Sequence, residues 1–262
     1  MFRPKYRGTT LLSVLTLAFL IGPLIVVFIT AFGSETTITF PIHGVTGRWF
    51  QNIGKQPDFL QGFQTSLEIA LVASLGALLI GIPAVYALTR CHLQYQTWFQ
   101  TIFLSPAFVP EIVVGFALYQ GLVITCHFPL ILALLLGHIL LCLPYTIRLL
   151  TASLLLLDPH LEEAAAIYGC PWKTTFIKVV LPNIYPSILG ALSLSFITSF
   201  NNIPITLFLN GPDLNLLPTA ILNYLQNNYD PTVSAISVIL MLITALLMVL
   251  IERILGLKSI LN

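Results

Sequence analysis

The stretch LILALLLGHILLCLPYTIRLLTASLLL, Leu130–Leu156, carries one basic residue, Arg148, and no acid. It is followed almost at once by DPHLEEAAAIYGCPWKTTFIKVVLP, Asp158–Pro182. The first run is long and apolar enough to cross a hydrocarbon core of about 30 Å as a helix. The second is too short and too polar to cross, yet too regularly patterned for an idle loop. A membrane helix that hands over to an ordered polar segment is the unit from which the rest of the chain is read.

Composition agrees with that unit. Of 262 residues, 57% are hydrophobic and 8% charged, and the mean hydropathy is +0.94, values of an integral membrane protein. Six spans can be drawn, at about 10–32, 63–89, 98–124, 130–156, 186–209 and 231–256, each near the ~20 residues a helix needs. Their apolar runs are continuous, without the in/out alternation of a membrane β-barrel, so helices are expected. The fold class is therefore all-α, a polytopic protein whose residues 1–262 form one transmembrane domain. A net charge of +1 with no dense basic patch argues against a nucleic-acid partner.

The few charges orient the chain. Arg3, Lys5, Arg7, Arg90, Arg148, Lys173, Lys178, Arg253 and Lys258 fall on one side of the six spans, and Arg48 and Lys55 on the other. The positive-inside rule makes the first side cytoplasmic, together with both termini and the 158–182 loop between spans four and five. The first apolar run exceeds the ~7–15 residues of a signal-peptide core, so it is expected to stay as a helix despite Ala31-Phe32-Gly33. The long external segment, Ser34–Gly62, suggests no folded domain of its own, and its Trp49 and Phe50 are expected at the membrane interface. Cys91, Cys126, Cys142 and Cys170 form no C-x-x-C pair and no cluster with histidine, so neither a metal nor a redox role is expected.

Residue by residue, the polar segment reads as two short helices. Asp158 before Pro159 is a start signal, an N-cap acceptor followed by a proline where a missing N–H is harmless. Glu162 and Glu163 lie in the first turn, which favours negative charge. Leu161, Ala164, Ala165 and Tyr168 repeat at helical spacing. Gly169 supplies the left-handed residue that ends this helix, with Cys170-Pro171 as a breaker. A second helix, about Trp172–Leu181, sets Trp172, Phe176, Val179 and Val180 on one face and is stopped by Leu181-Pro182. On physics alone the pair fits two roles equally, an interfacial element lying in the headgroups or a dock for a cytoplasmic protein.

Glu163-Ala164-Ala165, three residues, Gly169, nine residues, then Val179-x-Leu181-Pro182 resembles the EAA motif, E-A-A-x3-G-x9-I-x-L-P, of permease subunits in binding-protein-dependent ABC importers. Valine in place of isoleucine at position 179 is the one departure. Gly137-His138 with Cys142-Leu143-Pro144, Ser105-Pro106 with Pro110-Glu111-Ile112-Val113, and Leu194-Ser195-Phe196 with Asn210-Gly211-Pro212 look like the spermidine/putrescine branch, and within it the second permease subunit. The resemblance implies a bacterial inner-membrane protein whose motif docks on an ATP-binding-cassette subunit. Glu163, Ala164, Ala165, Gly169, Leu181 and Pro182 would be the coupling residues. It further implies two ATPase subunits, which bind the ATP and Mg, a second permease subunit and an extracytoplasmic substrate-binding protein. The chain itself has no G-x-x-x-x-G-K-[ST] loop, so nucleotide and cofactor binding are not expected of it. It is read as a translocation subunit, not an enzyme, since no Ser/His/Asp grouping exists and His43, His92, His127, His138 and His160 lie in different segments. His138, inside a span, reads as a hydrogen-bonded packing residue.

Intramembrane polar groups mark candidates for the solute pathway. Glu111 is deep in span three, after Pro106 and Pro110, two prolines expected to break or kink the helix beside a cavity. Glu68 sits near the external end of span two, where an edge charge could reach water. Asn201 and Asn202 follow Ser199-Phe200, where relatives of the spermidine/putrescine branch commonly carry an acidic pair. Two amides attract a polycation less than two carboxylates do, which weakens the polyamine that the resemblance implies and favours a neutral, zwitterionic or anionic solute. The expected solute is a polyamine or another small polar solute such as a phosphonate, an amino-acid-like compound or another organic ion. The alternatives are an ion-driven secondary transporter, which would need matched discontinuous helices in both halves, and a membrane-embedded enzyme, which would need clustered catalytic groups.

Overall fold

The computed structural model describes residues 7–91, 94–211 and 214–255. Arg3, Lys5, His92, Pro212 and Lys258 lie outside the described residues, as do the side chains of Arg7 and Arg253. The regular elements are helices, with two isolated antiparallel bridges, Gly33–Val45 and Gly211–Leu214. In chain order they are α1 (Arg7–Thr30), α2 (Arg48–Ile53), α3 (Pro57–Arg90), α4 (Gln96–Leu104), α5 (Glu111–Leu118), α6 (Leu130–Leu156), α7 (His160–Ile167), α8 (Trp172–Thr175), α9 (Leu181–Phe200), α10 (Pro204–Phe208), α11 (Leu217–Asn228) and α12 (Thr232–Leu255).

Four continuous helices are long and apolar enough to cross a membrane among the described residues: Gly8–Thr30, Pro57–Arg90, Leu130–Leu156 and Trp172–Phe200. A fifth crossing is made if Gln96–Phe108 and Glu111–Thr125, bent by 98° at their junction, count as one. The last expected span corresponds to α12, whose described apolar stretch is the shorter Thr232–Leu246. The span expected at 130–156 coincides with α6. The span expected from residue 63 starts at Pro57, because Pro57-Asp58 puts a proline in the first turn and an acid on the helix dipole.

Two spans differ from the expected rods. Span three is broken where the prolines are: Ser105–Phe108 tightens into a 3-10 turn, Val109 before Pro110 is extended at φ −92°, ψ 132°, and helix restarts at Glu111. Span five begins earlier and ends earlier than 186–209. Leu181-Pro182 does not stop the helix after Gly169, because Phe176–Val180 is a π-helical turn in which the Leu181 N–H reaches back five residues to the Phe176 carbonyl. The Asn183 side-chain amide donates to the Val179 carbonyl at 2.7 Å. With the ladder shifted, Pro182 stands in the first turn of α9, where its missing N–H is tolerated. At the far end, helix is lost after Phe200 and resumes at Pro204.

The chain divides into two compact units, Met1–Leu60 with Ala220–Leu246, and Gln61–Thr219 with Leu247–Asn262. In the first, Ala31, Trp49, Ala235 and Val238 are buried together, with Phe32, Phe50 and Ile53 packed on them. The Trp49 indole N–H donates to the Gly33 carbonyl at 2.7 Å, and Arg48 lies 4.3 Å over the indole ring. Trp49 is therefore a core residue at 7% exposure, not the interfacial anchor its position suggested, and the segment after α1 is tied into a folded unit. Asp230, ahead of Pro231, accepts from the Thr232 N–H at 2.9 Å and from the Tyr224 hydroxyl at 2.9 Å. The Asn52 amide closes this network on the Thr232 hydroxyl at 2.9 Å.

In the second unit, α3 presents small residues to its neighbours. Ser66, Ala70, Ala73, Ser74 and Ala77 are buried at helical spacing, and such stripes let membrane helices approach closely. Below them Leu78 and Val85 join Ile147, Leu150, Leu154, Val180, Ile184 and Ala191 in one core cluster. A neighbouring cluster joins Ile69, Ala133, Leu134, Leu141, Ile205, Leu209 and Leu216. Gly81 is placed so that an added Cβ would stand 2.6 Å from the Thr146 Cγ2, and that β-branched side chain cannot swing away. Gly81→Val is expected to destabilise the protein by about 1–3 kcal/mol, seen as a lower thermal midpoint in detergent. Gly22→Ala on α1, with open space around it, is expected to leave the midpoint unchanged or raise it.

Candidate functional site: the polar segment and the broken-helix pair

Asp158 starts the polar segment by accepting the His160 N–H on Oδ1 at 3.0 Å, and Pro159 opens the helical turn as expected. The helix α7 ends at Gly169, whose φ of +75° is the only described positive value at a glycine. The Gly169 N–H reaches the Ala166 carbonyl at 2.9 Å and the Cys170 N–H reaches the Ala165 carbonyl at 3.1 Å, the two bonds of a Schellman cap. No neighbour within 4 Å would obstruct a side chain at Gly169, so the requirement there is conformational.

The segment turns its apolar side chains outward. Ile167, Tyr168 and Trp172 are 83%, 88% and 64% exposed, and Ala164 is exposed beside them, while Ala165 is half-buried. Glu163 is exposed and pairs with His160, Nδ1 to Oε2 at 2.9 Å. That hydrogen bond, with the charges of Asp158 and Glu163 behind it, raises the His160 pKa above its ordinary value.

Glu162 behaves differently from its neighbour. Arg90, the last residue of α3, donates from Nε to its Oε1 at 2.7 Å, with only 14% and 16% of the two side chains exposed. The Tyr86 hydroxyl donates to Oε2 at 2.8 Å, and the Arg90 Nη2 donates to the Leu157 carbonyl at 2.8 Å. The Tyr86 ring meets Phe176 edge-on at 4.9 Å. One end of α3 therefore holds the end of α6, the first turn of α7 and the π-helical turn before α9. In the sequence Arg90 reads only as a topological charge and Glu162 only as a first-turn acid, because nothing in the spacing pairs residues 72 apart.

The second cluster lies where both broken helices restart. Asn202, 5% exposed, donates from Nδ2 to the Glu111 Oε2 at 2.6 Å and accepts the Ile205 N–H on Oδ1 at 3.0 Å. It thus caps α10 and joins it to the first residue of α5 by a charge-assisted bond. Gly115 fits against the Ile205 backbone, where an added Cβ would be 2.9 Å from its Cα. Behind them runs a buried polar chain. Thr206 donates to the Asn202 carbonyl at 3.0 Å and meets His138 Nε2 at 3.3 Å; His138 Nδ1 meets Ser199 at 2.7 Å. Ser195 links to Thr146 at 3.1 Å and accepts from the Cys142 thiol on its carbonyl at 3.3 Å. His138 is fully buried in this chain of bonds, the packing residue expected. The other two pathway candidates stand apart: Asn201 is exposed and bonds back to the Ile197 carbonyl at 3.1 Å, and Glu68 is exposed and bonded to Gln64 at 3.0 Å. Among the described residues no group of His, Cys, Asp and Glu could hold a metal ion.

Residues 80–258 match the family profile of the binding-protein-dependent transport system inner membrane component. The chain is 28% identical over 237 residues to the spermidine/putrescine transport system permease protein PotC of Escherichia coli (strain K12), covering 88% of each. It is 30% identical over 269 residues to the 2-aminoethylphosphonate transport system permease protein PhnV of Salmonella typhimurium (strain LT2), covering 96% of each. These relatives are transporter permease subunits, not enzymes. The fold is shared with a chain of a bacterial alginate ABC transporter, solved with an alginate pentasaccharide-bound periplasmic protein, at a TM-score of 0.68, 15% identity and coverage of 97% and 93%. It is shared also with a chain of the inward-facing MetNI methionine ABC transporter, at a TM-score of 0.61, 20% identity and coverage of 76% and 94%. A multi-pass helical protein with an exposed, patterned polar segment and these relatives belongs to the binding-protein-dependent transport system inner membrane components, the permease subunits of ABC importers.

Proposed function

We propose that residues 1–262 act as one six-span transmembrane domain, both termini cytoplasmic, in the inner membrane of a bacterium. Glu163, Ala164, Ala165 and Gly169 form its contact with an ATPase subunit, and Leu181 and Pro182 carry that contact into span five. The observation that carries the reading is the outward-facing apolar surface of Ile167, Tyr168 and Trp172 around an otherwise well-formed Schellman cap. Nothing in the described chain covers that surface, and a patch of this kind marks a docking site. Ala164 allows close approach there, and Glu163 offers a carboxylate to a basic or N–H donor. The complex is completed by two ATPases that bind ATP and Mg, a second and different permease subunit, and an extracytoplasmic substrate-binding protein. The apolar length of α1, exposed from Gly8 almost to Thr30, is available to lipid and to that second permease.

Glu111 and Asn202 are the polar elements of the pathway, supported by their meeting at the two helix breaks. Asn201 and Glu68, which do not meet them, are secondary. The solute is a small polar compound that carries a primary ammonium group. Spermidine, putrescine and 2-aminoethylphosphonate, the solutes for which the relatives are named, share that group, and Glu111 is an acid with no described basic partner.

Gly169→Val or Glu163→Lys is expected to leave membrane insertion intact while lowering solute-stimulated ATP hydrolysis of the assembled complex about tenfold or more; normal hydrolysis and transport in both variants would remove the docking assignment. Glu111→Gln is expected to lower uptake of an amine-bearing solute more than uptake of an amine-free analogue, and equal effects on both would take Glu111 out of solute recognition. The raised His160 pKa means that its protonated form is favoured in the fold. The His160–Glu163 pair is then fully formed below the ordinary histidine value of about 6.5 and lost as pH rises through the raised value. Glu163→Gln should bring the His160 titration, followed by NMR, back down.

A further inference from the structure

The clamp at the cytoplasmic end of α3 is larger than a structural tie between neighbours requires. One arginine serves two segments, since Nε binds the Glu162 carboxylate on α7 and Nη2 binds the Leu157 carbonyl at the end of α6. Tyr86, one turn earlier, takes the second carboxylate oxygen at 2.8 Å and stacks edge-on against Phe176 in the π-helical turn. The pair is only 14% and 16% exposed, so its geometry is held by surrounding protein instead of fluctuating as an exposed pair does. By contrast Glu163, next in sequence, is 67% exposed and outside the clamp.

The helix leaving this clamp is packed along its length and fastened at its other end. Val85, Leu78 and Ala77 are buried below it, and Gly81 and Gly76 sit hard against Thr146 and Ile139 of α6. Toward the external end, Ser66 accepts the backbone N–H of Leu217 at 2.8 Å, and Gly62 lies against the Leu216–Leu217 backbone. From Ser66 to Arg90 is about 36 Å of continuous helix, the depth of a membrane.

We propose that Arg90, with Tyr86, is a positioning residue for energy coupling: through Glu162 it makes α3 a second transmission rod, carrying displacement of α7 to the Leu216–Leu217 segment on the opposite face. This rests on the reading of α7 as the ATPase dock and adds a route distinct from the helical continuation into α9. Arg90 and Glu162 touch neither ATPase nor solute in this scheme; they set where α7 stands relative to α3.

The test uses the complete transporter reconstituted with its partner permease, ATPases and binding protein, comparing Arg90→Glu, Glu162→Arg and the double exchange. Each single variant should still co-purify with the ATPases and hydrolyse ATP, while solute moved per ATP falls about fivefold or more, and the double exchange should recover most of that ratio. Arg90→Lys, which keeps the charge but not the two-pronged geometry, should give an intermediate ratio and covers the case of single variants that fail to fold. Wild-type ratios in Arg90→Lys and the single variants, or a double exchange no better than the singles, would overturn the proposal. Failure of the docking reading is separable: Gly169→Val and Glu163→Lys would then behave normally whatever the clamp variants do.

Discussion

A backbone N–H or C=O inside a bilayer has no water to bond, so each interruption of a membrane helix has to be repaired by protein. That constraint explains the arrangement of the second unit. Pro106 and Pro110 break one helix and Pro204 restarts another, and the two breaks are brought together so that one side chain serves both. The Asn202 side-chain oxygen, Oδ1, accepts the Ile205 N–H of α10 while its Nδ2 holds the Glu111 carboxylate at the head of α5. A carboxylate in that position also faces the positive end of its own helix. At the two breaks Asn202 supplies bonds that the helices do not, and the buried row His138, Ser199, Thr206, Ser195 and Thr146 adds further polar contacts between α6, α9 and α10.

The polar segment poses a different problem, since an exposed apolar surface cannot be held in place by burying it. Here the fixed and free residues alternate. Glu162 is pinned by Arg90 and Tyr86, while Glu163, Ala164, Ile167 and Tyr168 remain outside. The Schellman cap at Gly169 fixes the exit direction of the chain without adding contacts. The rigidity of a segment whose own face is uncovered therefore comes from its first turn and from the glycine that ends it.

What could be read in the sequence follows from how local each determinant is. The span at 130–156, the Asp158-Pro159 start and the left-handed Gly169 are encoded within a few residues and were all legible. The break at Pro106/Pro110 was legible as a break, but not its 98° angle, which depends on what the two halves pack against. Leu181-Pro182 misled because a proline is a stop only when the ladder before it is in α-register, and Phe176–Val180 changes that register. Trp49 misled because an aromatic beside a membrane span looks the same in sequence whether it faces headgroups or a core formed with residues nearly two hundred positions away. The pairs Glu111–Asn202 and Arg90–Glu162 are of this second kind. Glu111 and Asn202 carry visible signals, an acid after two prolines and an amide where relatives have an acid, but the meeting of each pair is a property of the fold.

The π-helical turn at Phe176–Val180 has a mechanical consequence. Because it lets helix run unbroken from Trp172 to Phe200, no loop separates the end of the polar segment from the membrane-crossing rod. A loop absorbs torque; a hydrogen-bonded helix passes it on. A twist imposed at Trp172 meets no loop before Phe200, and the next two residues are Asn201 and Asn202, the latter bonded to Glu111. The π turn joins the polar segment and the broken-helix pair by one rod, as a shaft joins a handle to its far end.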